Sequence, residues 1–275
     1  MTDRTGKARL IDDHGPYDPM SLSFSADGKR AATTVANRAN QTGDIWIYDL
    51  ARGTRDQFTD ERSLTMDPVW SPDGKSIVYA STEGAPPHLV RRSLTGTTSE
   101  QLMPTDEFRF PGSFTSDGAT LYFRQAPWAR PEVFRLDMRT RKAEPVLSNF
   151  LGRDPMVSPD GRWLAFSSNA TGASEVYLQD LSGKDIPRIR ISTHGGQFPQ
   201  WSHSGDLFYL SSQNIVMSVA PRVARDWSDT ISTELFRAPA DTTRFAASPD
   251  GQSFLFITGK QGAEDSLFHV ILGWQ

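Results

Sequence analysis

Ser71-Pro72-Asp73-Gly74 recurs as Ser158-Pro159-Asp160-Gly161 and again as Ser248-Pro249-Asp250-Gly251. Looser copies are Ser25-Ala26-Asp27-Gly28, Thr115-Ser116-Asp117-Gly118 and Ser202-His203-Ser204-Gly205. The six glycines stand at 28, 74, 118, 161, 205 and 251, so successive spacings are 46, 44, 43, 44 and 46 residues. Proline presets φ for a turn, aspartate bonds its own backbone, and glycine accepts the left-handed conformation that closes a hairpin. Each copy therefore reverses a strand.

Around each turn the pattern is that of buried sheet. A segment ending in a bulky residue precedes it, as in Asp67-Pro68-Val69-Trp70 and Phe198-Pro199-Gln200-Trp201. A β-branched and aromatic run follows, as in Ile77-Val78-Tyr79-Ala80 or Trp163-Leu164-Ala165-Phe166. A third strand alternates at period two, as in Asp44-Ile45-Trp46-Ile47-Tyr48, and a shorter fourth follows, as in Glu144-Pro145-Val146-Leu147. Four strands in each repeat of about 40–45 residues is the signature of a propeller blade. The expectation is an all-β, six-bladed β-propeller with four antiparallel strands per blade, a single domain over residues 1–275. After the sixth turn only two strands remain, Ser253 to Thr258 and Leu267 to Leu272. Residues 7–11, Lys7-Ala8-Arg9-Leu10-Ile11, are expected to complete the last blade, burying Leu10 and Ile11 and closing the ring by removing two exposed edges.

Composition bounds the chemistry. The 275 residues carry a net charge of −4 with 37% hydrophobic residues, which makes nucleic acid an unexpected partner. There is no cysteine, so disulfides, thiolate catalysis and cysteine-held metals are excluded. No apolar run reaches the roughly 18 residues that span a bilayer, so direct membrane insertion is not expected, and Met1 to Lys7 has no apolar core of a signal peptide. The sequence holds no Gly-x-Ser-x-Gly elbow, no His-Glu-x-x-His helix and no phosphate-binding Gly-rich loop. No catalytic residue, metal site or cofactor is assigned. The turn aspartates Asp27, Asp73, Asp117, Asp160 and Asp250 are read as turn formers rather than a calcium ladder, and the five histidines follow no short ligand spacing.

The motifs resemble the propeller repeats of TolB-like proteins, and most closely the propeller regions of bacterial serine/threonine kinases of the acidobacterial type. The matching segments include Gly43-Asp44-Ile45-Trp46-Ile47-Tyr48-Asp49-Leu50, Asp67-Pro68-Val69-Trp70-Ser71-Pro72-Asp73-Gly74, Ser158-Pro159-Asp160-Gly161-Arg162-Trp163-Leu164-Ala165-Phe166 and Ile191-Ser192-Thr193. The resemblance implies a monomeric sensory or protein-binding propeller, and it favours a periplasmic or extracytoplasmic location. The chain has no kinase segment: His-Arg-Asp and Asp-Phe-Gly triplets are both absent.

Candidate contact residues follow from the symmetry of the fold. The first strand of each blade lines the central channel, and its leading end opens on the face where ligands dock. Counting back from the bulky residue before each turn, the third position reads Ser21, Asp67, Pro111, Asp154, Phe198 and Arg244, and the fourth includes Arg153 and Gln197. Arg153 and Arg244 are expected anion contacts, with Asp67 and Asp154 as counterweights and Gln197 beside them. The alternative is that these charges pair across the pore. Trp128 and Trp227 stand beside arginines in segments read as loops, so each is either an interface anchor or a ring folded back over its own blade. Two further functions stand beside a protein or peptide binder. One is an enzyme acting on a small polar substrate through Arg153, Arg244 and Asp154, with or without a divalent metal; the other is a structural spacer.

Overall fold

The computed structural model describes residues 8–12, 18–37, 40–84, 86–104, 106–126, 132–147, 151–184, 186–220, 227, 231–259 and 266–272; for 8, 9, 12, 18–20, 126 and 266–272 it describes the backbone alone. The strands run β1 (Ala8–Asp12), β2 (Asp18–Phe24), β3 (Arg30–Asn37), β4 (Thr42–Asp49), β5 (Thr54–Gln57), β6 (Thr65–Trp70), β7 (Ser76–Ser81), β8 (His88–Ser93) and β9 (Ser99–Gln101). They continue as β10 (Phe108–Phe114), β11 (Thr120–Ala126), β12 (Glu132–Asp137), β13 (Ala143–Leu147), β14 (Arg153–Val157), β15 (Trp163–Ser168), β16 (Glu175–Asp180) and β17 (Ile189–Arg190). The last are β18 (Gly196–Trp201), β19 (Leu207–Ser211), β20 (Ile215–Val219), β21 (Thr233–Arg237), β22 (Thr242–Ala247), β23 (Ser253–Gly259) and β24 (Ser266–Leu272). They form six four-stranded sheets, five ordered as consecutive strands and one ordered β1-β24-β23-β22. Among the described residues no helix is long and apolar enough to cross a membrane.

The repeated turn is built from the residues that mark it in the sequence. Ser71 Oγ donates to Asp73 Oδ1 at 2.6 Å and accepts the Ser76 N–H, while the Asp73 carboxylate accepts the Lys75 N–H at 3.0 Å. Gly74, at φ +67°, donates its N–H to Ser71 O at 2.9 Å. Ser25–Asp27, Thr115–Asp117, Ser158–Asp160 and Ser248–Asp250 repeat the hydroxyl-to-carboxylate bond at 2.5–2.6 Å. In the fifth copy the acid has moved past the glycine, and Ser204 donates to Asp206 instead.

These bonds favour the ionised aspartate. The hydroxyls of Ser25, Ser71 and Thr115 hold Asp27, Asp73 and Asp117 below the ordinary carboxylate value of 3.8, helped by backbone N–H donors. A carboxyl with a lowered folded pKa stabilises the fold above its unfolded pKa, and that stability is lost as pH falls through the folded value. Asp73→Asn is therefore expected to melt below the native protein at neutral pH, with the gap closing as the pH drops below 3.8. A gap independent of pH in paired melting curves would overturn this.

The chain divides into two compact units, Met1–Pro111 with Pro239–Gln275, and Gly112–Ala238. In both, the second strand of a sheet is buried on both faces: every residue of β15 is buried, as is β7 apart from its first. That accounts for the unbroken apolar runs in the sequence, since a sheet packed between two neighbours has no wet face. In the first unit Ala32, Ile45, Trp70, Ile77, Tyr79 and Val90 form one cluster. Arg30, at the start of β3, lies 4.7 Å above the Trp70 ring of the next sheet. In the second unit the principal cluster joins Trp163, Val176, Leu178, Trp201, Tyr209 and Trp227.

β1 pairs antiparallel with β24, Ala8 opposite Ile271 and Leu10 opposite His269. Ile11 packs on the cluster of Ala246, Leu255 and Ile257, as expected. Leu10 does not: it is 41% exposed, because successive residues of a strand face opposite sides and this outermost strand has one side open.

Candidate functional site

Three first strands share a departure from regular sheet. Asp67, Asp154 and Phe198, at φ +51°, +50° and +55°, each precede a proline, in Met66-Asp67-Pro68, Arg153-Asp154-Pro155 and Gln197-Phe198-Pro199. Pairing with the second strand slips at the same places, between Met66 and Val69, Arg153 and Met156, and Gln197 and Gln200. Proline has no N–H for the ladder, so the pairing breaks there and an extra residue is extruded as a bulge. Aspartate tolerates the left-handed region because its short polar side chain bonds locally. Asp154 also accepts the Ser167 hydroxyl of the neighbouring strand β15 at 2.7 Å. Phe198 has no such means, and a left-handed residue of this kind costs about 1–3 kcal/mol.

The expected contact residues lie at these leading ends. In the second unit Arg153 and Asp154 are exposed on β14, and Gln197 is half-buried on β18. The two strands are neighbours, joined by Trp201 Nε1 donating to Met156 O at 2.9 Å. In the first unit Asp67 is half-buried on β6, and Arg244 is exposed on β22 with its guanidinium donating to Thr243 O at 2.9 Å. β2 packs against both strands. Trp128 lies outside the described residues. Trp227 requires a correction as a contact residue: it is 2% exposed, edge-on to Trp201 with ring centroids 5.4 Å apart. The ring packs onto the sheet rather than facing solvent, because a large ring gains more from burial than from exposure.

Beside Gln197 the second unit holds a cleft of about 360 Å³ that no sequence motif marks. One wall is Thr193, His194 and Gly195, leading into β18; another is the β19–β20 hairpin with Ser211 and Gln213. Ile191, Ile215 and Met217 supply apolar surface and Glu234 a carboxylate. Tyr209, at its base, has its hydroxyl pKa raised above 10 by burial, with the nearby Glu175 carboxylate adding to the shift and a hydrogen bond with Ser232 opposing it. Glu175 is buried, bonded by the Ser192 hydroxyl and by Gly195 N–H at 3.2 Å. The first unit repeats this clasp: Thr59 donates to Asp44 at 2.9 Å and accepts the Ile45 N–H, as Ser192 accepts the Val176 N–H. Among the described residues no three His, Asp or Glu side chains gather as a metal site.

Residues 5–204 match PD40, the TolB β-propeller domain. The chain belongs to this family. It is 28% identical over 154 residues to the Tol-Pal system protein TolB of Anaeromyxobacter, covering 54% of this chain and 34% of that protein. It is also 26% identical over 159 residues to the uncharacterized peptidase YuxL of Bacillus subtilis, covering 58% and 23% respectively. The chain thus spans about a quarter to a third of these curated relatives. Among solved structures, TolB from Acinetobacter baumannii superposes with a TM-score of 0.69 at 21% identity, over 90% of this chain and 65% of that one.

In this TolB-type propeller the acid–hydroxyl clasps were the legible omission: an acid stands in the first half of the third strand at Asp44 and Glu175, and a hydroxyl follows the fourth at Thr59 and Ser192. The cleft had no comparable signal. Its walls come from three parts of a 44-residue stretch, Ile191 to Glu234, the two ends and the hairpin between them, and meet only when the sheets form.

Proposed function

We propose that this chain is a non-catalytic, six-bladed binding propeller that takes a protein or peptide partner at the leading ends of its first strands. The observation that carries this is the left-handed residue kept before proline at equivalent positions of three repeats, two of them aspartates, with Arg153 and Arg244 exposed at the corresponding ends of their strands. Strain retained at equivalent positions is characteristic of sites that present side chains rather than merely pack them. Arginine suits the role because its planar fork holds a carboxylate through two parallel bonds. The match to YuxL favours a second reading, in which the propeller is the non-catalytic portion of a longer peptidase.

For the first reading, a partner captured on the native chain is purified and titrated calorimetrically against the Arg153→Ala/Arg244→Ala double variant. Affinity is expected to fall about tenfold or more, near 1.5 kcal/mol, with an unchanged melting curve. Unchanged affinity with a shifted melting curve would show that the two arginines serve the fold instead. A hydrolase domain in the same reading frame would favour the second reading.

A further inference from the structure

The cleft beside β18 has the chemistry of a socket for one long basic side chain. Met217 and Glu234 are directly opposed across the β20–β21 pair and therefore share one face of the sheet, an adaptable apolar side chain beside a carboxylate. Ile191 and Ile215 extend the apolar wall, and among the described lining residues there is no lysine or arginine to neutralise Glu234. Lysine and arginine bury an aliphatic stem against such a surface while the charged head stays at a polar rim. Ile231, 67% exposed, stands at the lip and offers a neighbouring apolar contact.

The walls are fixed in advance. Ser212 Oγ donates to His194 O at 2.5 Å, Glu175 accepts the Gly195 N–H, and Gly195 sits at φ +83° where an added Cβ would meet Ser212 Cβ at 2.6 Å. A preformed socket avoids the ordering cost that weakens peptide binding. We propose that this cleft binds a lysine or arginine side chain of a partner polypeptide, followed by an apolar residue against Ile231. The proposal rests on the reading of the chain as a polypeptide-binding module and adds the chemistry of the bound segment.

The probe is the blocked tetrapeptide acetyl-Gly-Arg-Ile-Gly-amide, titrated into the ¹⁵N-labelled full chain and followed by amide shifts. Shifts are expected at residues 193–196 and 211–217, with affinity falling at least fivefold in Glu234→Gln and in the peptide carrying Gln for Arg. Ile231→Ser, on an equally exposed side chain, is expected to weaken binding about twofold without altering the melting curve. Equal binding by the Gln peptide, or by Glu234→Gln, would overturn the socket. Free L-arginine binding as tightly as the tetrapeptide would overturn a polypeptide as the ligand. Failure of the tetrapeptide while the Arg153/Arg244 variant still loses its partner removes the socket and leaves the proposed function; if neither responds, both fall.

Discussion

Trp201→Ala is expected to cost about 3–5 kcal/mol, a large part of the roughly 5–15 kcal/mol that stabilises a domain. Trp201 is 9% exposed and lies edge-on to Trp227 within the cluster that includes Trp163 and Tyr209. Its Nε1 also donates to Met156 O, so truncation opens a cavity, strips Trp227 of its ring partner and removes a bond to the β14 backbone. For a chain of this size each kcal/mol lowers the melting temperature by roughly 2–4 °C. Trp201→Phe keeps a ring but loses the donor and should fall between. Trp46, half-buried beneath the Arg55 guanidinium at 4.8 Å, provides the comparison, and Trp46→Ala should cost less. A Trp201→Ala variant melting within 2 °C of the native protein would overturn this account of the core.

Deleting residues 1–12 is the second change expected to act strongly. It removes β1 and its whole ladder with β24, together with Ile11 from the cluster of Ala246, Leu255 and Ile257. Ile11 is partly buried and so contributes less than the roughly 1.5–3 kcal/mol of a fully buried side chain, and Leu10, at 41% exposure, adds little. The freed edge of β24 presents unpaired N–H and C=O groups, a template for another chain. A lower melting temperature together with concentration-dependent association is expected in light scattering and thermal melts. An unchanged melting curve would show that the pairing of β1 contributes nothing to the sheet.

The repeat was legible because its determinants are local. A Ser, an Asp and a Gly within four residues suffice to build the turn at Ser71–Gly74, and the runs at Ile77–Ala80 and Trp163–Phe166 announce sheet buried on both faces. Pairing of the first strand with the last was legible too, since a blade one strand short needs its complement from elsewhere in the chain. The fate of individual rings was not. Trp227 and Trp128 look alike in sequence, and it is the packing of the Trp227 ring against Trp201 that buries the former.

The sequence by itself determined the strand order, the turn chemistry and the residues standing at the leading ends of the first strands, because each depends on spacing within one repeat of about 45 residues. Tertiary structure alone decided that Leu10 faces outward while Ile11 faces in, and that Ile191, Met217 and Glu234 enclose one cleft. These outcomes depend on which sheet lies against which. A side chain's environment is set by neighbours a full repeat away, and no local rule in the chain encodes their distance.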